Sequence, residues 1–302
     1  MRLDKLLSAV TGKSRSDVKK TCKSGKVSVN GKMVQDPGFQ VDPEKDEVLL
    51  EGQAALYEKY HYFLMDKPPG VVTAREDGRF PTVMDVFRDA MPDASEKGLS
   101  PVGRLDKDTT GLLLITDDGE LAHRLLSPAR HVDKTYEVLC DGILTREDVD
   151  AFSAGMDIGE KKPLKPAKLE IKETGLPYPE GFEPDALGNH GGKSPRSFDP
   201  DVLKDAGKNP AEGSAEDALK ARGKNMPEPG KPCSLAYITI SEGKYHQVKR
   251  MFAKTGKPVL LLRRLSFGPL HLDEGTEIGA VRALIKDEVA ALKSAAGLEE
   301  EA

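Results

Sequence analysis

Residues 103–138 read GRLDKDTTGLLLITDDGELAHRLLSPARHVDKTYEV, and the parsing of this stretch decides the fold of the larger part of the chain. Leu112, Leu113, Leu114 and Ile115 form a short uninterrupted apolar run, the pattern of a buried strand. Asp117-Asp118-Gly119 ends that run, residues 120–126 read as a short helix, and residues 134–139 read as another strand. Asp106 follows Gly103-Arg104 and precedes the apolar strand. A loop therefore presents its carboxylate at the edge of a sheet, a common station for catalytic groups.

Working outward, residues 62–65 (YFLM) are strand-like, Pro68-Pro69-Gly70 marks a turn, and Val71-Val72-Thr73 predicts a further strand. Downstream, Thr145 with Asp148 forms a capping box ahead of a helix reaching about Ala154. Strand patterning returns at residues 235–240, residues 287–296 read as a closing helix, and the terminal GLEEEA is expected to fray. Strands and helices interleave, which predicts a mixed α+β domain over residues 60–296 with a mainly antiparallel sheet. Residues 175–232 break the composition, with nine glycines and nine prolines among 58 residues. This stretch is too rich in Gly and Pro to build a core. We expect an insertion between two strands, with one short helix near residues 215–221 and no assigned function.

The first 52 residues differ in kind. Leu3, Leu6, Leu7 and Val10 follow the i, i+3, i+4, i+7 spacing of an amphipathic helix, which Gly12 breaks. Ser14 or Ser16 can cap a second helix, on which Arg15, Lys19 and Lys23 share one face beside Lys20. Gly25 ends it, and Val27 and Val29 lead into Asn30-Gly31, a tight-hairpin dipeptide. The prediction is a compact helix-helix-hairpin module ending near Gly52.

The formal net charge of −5 argues against a nucleic-acid partner. The average hides a gradient. Residues 1–35 hold nine Lys and Arg against two Asp, a balance of +7, so the remaining chain carries −12. That asymmetry fits a basic RNA-contacting arm on an acidic body. Cys22, Cys140 and Cys233 lie far apart, without the close pairs of a zinc site or redox motif, and are expected to be reduced thiols in a cytosolic protein. The opening MRLDKLLSAV lacks a signal-peptide core, and no run approaches the roughly 20 apolar residues of a membrane span. We expect a cytoplasmic, soluble monomer with no metal and no cofactor, since Gly-rich segments lack the strand-loop-helix context of a phosphate cradle.

Taken alone, Arg104 and Asp106 make an ordinary surface ion pair. Context changes that. GRLDKDTTGLLL resembles the catalytic motif of the pseudouridine synthase family, and three further stretches agree in order: MDKPPGVV at residues 65–72, SPARHVDKTYEV at 127–138 and SEGKYHQVKRMF at 241–252. The resemblance covers nearly the whole chain outside residues 175–232. The MRLDK opening, LKPAKLEI and TISEGKYHQVKRMFA are most similar to the 16S ribosomal RNA branch of that family. Residues 1–52 resemble the alpha-L RNA-binding module, which implies that the two helices and hairpin grip structured RNA.

The resemblance implies conversion of one uridine in 16S ribosomal RNA to pseudouridine, in free RNA or an assembling small subunit. The C1′–N1 bond must break, the uracil must turn, and C5 must bond to C1′ before its proton leaves. A carboxylate beside C1′ can stabilise oxocarbenium-like charge or attack covalently. Asp106 takes that part; Asp108 competes in the same loop, but the motif sets the catalytic acid before Lys107. Whether the acid adds to the sugar or abstracts a sugar proton is left open. Tyr136 matches the family's active-site tyrosine, implied to stack on the flipped base and take the C5 proton. Lys249 matches the active-site basic residue, implied to pair with Asp106; many relatives have arginine there, so lysine keeps the charge without the bidentate geometry.

Reaching a base inside RNA means flipping it out, which costs roughly a few kcal/mol. Arg104 matches a family residue implicated in filling the gap. Lys244, His246, Gln247 and Arg250 stand where the first turn of a helix meets phosphates or base edges; His246 is otherwise a core or surface histidine. Two other readings remain: a sister enzyme acting on 23S ribosomal RNA, and a non-catalytic RNA-binding or ribosome-assembly protein.

Overall fold

The computed structural model describes residues 1–43, 45–55, 57, 59–177 and 232–298. The chain divides into two compact units, Met1–His61 and Tyr62 onward.

In the first unit, α1 (Leu3–Thr11) buries Leu3, Leu6 and Leu7, while Val10 stays 38% exposed. Gly12 ends the helix in the left-handed region at φ 68°. α2 (Arg15–Lys23) starts at Ser14, whose Oγ accepts from Asp17 N, and turns Val18 and Cys22 inward. β1 (Val27–Val29) and β2 (Lys32–Met33) join through Asn30-Gly31, both at positive φ, as a tight hairpin requires. The sequence pattern predicts this one hairpin. β3 (Val48–Leu50) and β4 (Gln53–Ala54) form a second hairpin and complete a sheet of order β2-β1-β3-β4. The unit therefore runs past Gly52, because Gly52 is a turn residue inside that hairpin. Leu3, Leu6, Leu7, Val18, Cys22, Val27, Val29 and Val48 share one core. Truncating one of these leucines to alanine would cost about 2–5 kcal/mol.

The second unit is built on a nine-stranded sheet. Its strands are β5 (Tyr62–Lys67), β6 (Ser100–Pro101), β7 (Thr110–Thr116), β8 (Lys134–Asp141), β9 (Lys168–Leu176), β10 (Cys233–Ile240), β11 (Val259–Phe267), β12 (Leu270–His271) and β13 (Val281–Ala283). The main path is β13-β5-β7-β11-β8-β10-β9, with β6 on β7 and β12 on β11. Every pairing is antiparallel except β7 with β11.

β7 explains the apolar run. All seven of its residues are buried, with Leu113 and Ile115 in a core on one face and Leu112 and Leu114 in a core on the other. A strand covered on both faces has no solvent side to make polar. On the first face lie α3 (Val83–Ala90), α5 (Arg146–Ala154) and α6 (Gln247–Lys254), supplying Phe87, Phe152, Met251 and Phe252. On the second lie α4 (Gly119–Leu126) and α7 (Lys286–Ala295), supplying Leu121, Leu125 and Leu292. The caps are local: Asp118 accepts from Leu121 N, and Asp148 accepts from Thr145 N at 2.7 Å.

Val71-Val72-Thr73, expected as a strand, makes only an isolated bridge from Val72 to Thr82. The segment is occupied elsewhere. Thr73 Oγ1 donates to Leu105 O at 2.7 Å and accepts from Leu105 N at 3.1 Å, while Gly70 N donates to Lys107 O. Residues 178–231 lie outside the described residues, including the short helix expected near 215–221; β9 and β10, which flank them, pair antiparallel with Leu176 opposite Cys233. The terminal residues 299–302 also lie outside.

Candidate active site

The loop between β6 and β7 carries Asp106 into a cavity of about 670 Å³. Two ties from residues 67–73 hold this loop from below: the Thr73–Leu105 exchange, and Lys67, which is 0% exposed. Lys67 Nζ donates to the carbonyls of Pro68 (3.0 Å), Lys107 (3.3 Å) and Thr109 (2.9 Å). Three acceptors match the three protons of an ammonium. Burial nonetheless pushes its pKa down to about 8, against the opposing charges of Asp108 and Asp106.

Asp106, with 28% of its side chain exposed, is gripped on both oxygens. Lys249 Nζ lies 3.1 Å from Oδ2 and His246 Nε2 lies 3.3 Å from Oδ1. Lys249 also donates to Asp108 Oδ1 at 2.6 Å. For Lys249, burial opposes the charge, but the hydrogen bond and charge of Asp108, followed by Asp106, outweigh it and raise the pKa above its ordinary value. One ammonium thus spans both acids of the loop and fixes the spacing of the Asp106 carboxylate from α6.

Tyr136, on β8 and 8% exposed, lines the same cavity, as do Leu262, Lys134 and Arg264. Arg264 is 2% exposed and stands opposite Tyr136 in the β8–β11 pair. Its Nε donates to Leu112 O at 2.7 Å, and Nη2 has no hydrogen-bond partner among the described residues. Lys134 donates to Val132 O, and burial, then the charge of Arg264, push its pKa down to about 8. The acidic chain therefore concentrates cations in the cavity wall, an electrostatic match for an anionic ligand. A carboxylate held by the Lys249 ammonium on one oxygen and the His246 imidazole on the other, with an aromatic ring in the same cavity, suits attack on, or charge stabilisation at, an electrophilic carbon of a ring-bearing substrate.

Asp106, Tyr136 and Lys249, which are 30 to 143 positions apart, meet in this one cavity. Arg104 and Lys244 are exposed on its lining, and Arg104 makes no ion pair among the described residues. Gln247 and Arg250 have internal duties. Gln247 is 4% exposed, accepts from Lys244 N and donates to Glu242, closing the turn before α6. Arg250 does not line the cavity; its guanidinium donates to Glu160 at 2.6 Å, Tyr245 O at 3.1 Å and Ile158 O. In the first unit, Arg15, Lys19, Lys20 and Lys23 are all exposed, and only Lys20 forms an ion pair, with Asp17, among the described residues.

Sequence reasoning missed three features. Lys67 enters the sequence analysis only within a motif, although a lysine closing the strand-like stretch YFLMD signals a buried charge needing acceptors. Arg264 carried no signal of its own. His246 is expected only to meet phosphates or base edges, and its reach to Asp106 depends on a left-handed backbone at φ 48°, which no local pattern announces. Among the described residues, no three His, Cys, Asp or Glu side chains gather to hold a metal ion, and no helix is long and apolar enough to cross a membrane.

Residues 61–254 match the family described as RNA pseudouridylate synthase, and residues 1–48 match the S4 domain. The chain belongs to the RNA pseudouridylate synthase family and is an isomerase of that class. It is similar to YtzG of Bacillus subtilis, named as an RNA pseudouridine synthase, with 37% identity over 96% of this chain and 97% of the relative. It is also similar to ribosomal small subunit pseudouridine synthase A of Haemophilus influenzae, with 34% identity over 96% of this chain and 98% of the relative. A solved pseudouridylate synthase structure shares 32% identity at a TM-score of 0.53, covering 97% of this chain and 99% of that one.

Proposed function

We propose that this pseudouridine synthase acts on one uridine of 16S ribosomal RNA, with Asp106 as the catalytic carboxylate. The observation that carries this reading is the Asp106–Lys249 ion pair in a cationic cavity that also holds Tyr136. The small-subunit preference rests on relatives named ribosomal small subunit pseudouridine synthase A, including the one from Escherichia coli, 31% identical over 97% of this chain.

Asp106 acts at C1′ as the C1′–N1 bond breaks, by stabilising oxocarbenium-like charge or by adding to the sugar. The freed uracil turns, C5 bonds to C1′, and Tyr136 backs the base and takes the C5 proton. Product and substrate are isomers, so no redox partner or group donor enters. Lys249 and His246 orient the carboxylate. Arg104 and Lys244 meet the RNA at the cavity, and Arg15, Lys19, Lys20 and Lys23 grip phosphates through the first unit. The protein works as a cytoplasmic monomer on 16S RNA, free or in an assembling subunit.

The test is tritium release from C5-labelled uridine in small-subunit and large-subunit ribosomal RNA, each free and partly assembled with ribosomal proteins. Release from small-subunit RNA alone, lost by at least about 10³-fold in Asp106→Asn, is the expected result; that factor equals about 4 kcal/mol of barrier. Release from large-subunit RNA alone overturns the 16S target, and equal activity in Asp106→Asn removes the carboxylate from the chemistry.

A further inference from the structure

Tyr245 is 75% exposed, the highest value among the large hydrophobic side chains left on the surface of the described residues. It nevertheless lines the cavity that holds Asp106. Its ring lies on the imidazole of His246, with centroids 3.8 Å apart and planes 17° from parallel. That same imidazole reaches Asp106 Oδ1 at 3.3 Å. One face of the phenol ring is covered by His246, and its high exposure leaves the other face open to solvent.

The backbone that carries the ring is also held in place. Tyr245 O accepts from Arg250, whose guanidinium is anchored on Glu160 and Ile158 O, and buried Gln247 closes the turn on Lys244 N. His246 takes a left-handed backbone at φ 48°, a conformation uncommon outside glycine, which turns its imidazole toward Asp106. An open aromatic face on a braced turn, one stacking layer from the imidazole on Asp106, has the properties of a base-stacking platform.

We propose that Tyr245 stacks an unpaired base adjacent to the target uridine, so that the enzyme engages a splayed neighbour as well as the flipped nucleotide. This rests on the reading of Asp106 as the reaction centre. The stacked base extends the Tyr245–His246 pair into three layers, which aligns the RNA strand with the carboxylate that His246 contacts. Stacking is tolerant of base identity, because every base has a π-face. The site therefore selects for an unpaired neighbour rather than for a sequence.

The test uses the full chain and a 16S RNA fragment spanning the uridine at which tritium release is mapped, with each flanking nucleotide replaced in turn by an abasic one. For the wild type, an abasic residue on one side should lower kcat/KM about tenfold, mainly through KM. Tyr245→Ala should lose the same factor on natural RNA and lose nothing further on that abasic RNA, while Tyr245→Phe keeps wild-type behaviour. The proposal is overturned if Tyr245→Ala stays within about twofold of wild type on natural RNA, or if its loss is equally large on every abasic fragment. If Asp106→Asn releases tritium as fast as the wild type, the reading of Asp106 fails. The stacking contact is then decided by the affinities of the same fragments, where the same cancellation supports it and additive losses overturn it.

Discussion

Replacing Lys67 by methionine separates the two effects that this buried ammonium has on the protein. The substitution removes donors to Pro68 O, Lys107 O and Thr109 O. Lys107 O keeps Gly70 N, so two carbonyls lose their donor. At about 1–3 kcal/mol for each unsatisfied buried group, this destabilises by roughly 2–6 kcal/mol. Against that, burial holds the Lys67 pKa at about 8, below its ordinary 10.5, so near neutral pH the folded state carries an ionisation penalty of about 3 kcal/mol that methionine lacks. The net effect at pH 7 then lies between a gain of about 1 and a loss of about 3 kcal/mol. The pH dependence has a definite sign: between pH 8 and 10.5 the unfolded chain binds a proton at this site that the folded chain does not, so wild-type stability rises with pH. By pH 9.5 the wild type should gain about 2 kcal/mol relative to Lys67→Met, widening the gap. Urea unfolding of both proteins at pH 7, 8.5 and 9.5 measures this difference, with tritium release reporting displacement of the Asp106 loop. A gap that is flat or narrows as pH rises would refute the reasoning.

Two further outcomes test the fold and the RNA grip. Gly111 has φ 98°, and an added Cβ would sit 2.2 Å from Arg264 O, so Gly111→Ala should destabilise by more than about 3 kcal/mol in urea unfolding and disrupt the β7–β11 pair; a change below about 1 kcal/mol would contradict that close approach. Replacing Arg15, Lys19 and Lys23 together by alanine should flatten the log-log salt dependence of ribosomal RNA binding by about 0.7–0.9 per lost phosphate contact, and an unchanged slope would mean that this face does not touch RNA.

What the sequence alone determined is local or periodic. Ser14 and the Thr145–Asp148 pair cap helices through groups within three residues, Asn30-Gly31 closes a hairpin on itself, and the uninterrupted apolar run Leu112–Ile115 marks a buried strand. Such features need no knowledge of the rest of the chain. The motif resemblance likewise marked Asp106, Tyr136 and Lys249, which share one cavity. Only the tertiary structure decided what lies between them. Lys249 meets Asp108 across 141 positions, Thr73 holds Leu105 across 32, and Lys67 is buried because three carbonyls from two loops converge on it. His246 reaches Asp106 because a left-handed turn aims it there, and Gln247 and Arg250 brace that turn from within. Each of these contacts depends on strand order and loop geometry, in particular the parallel pairing of β7 with β11, which no spacing along the chain encodes.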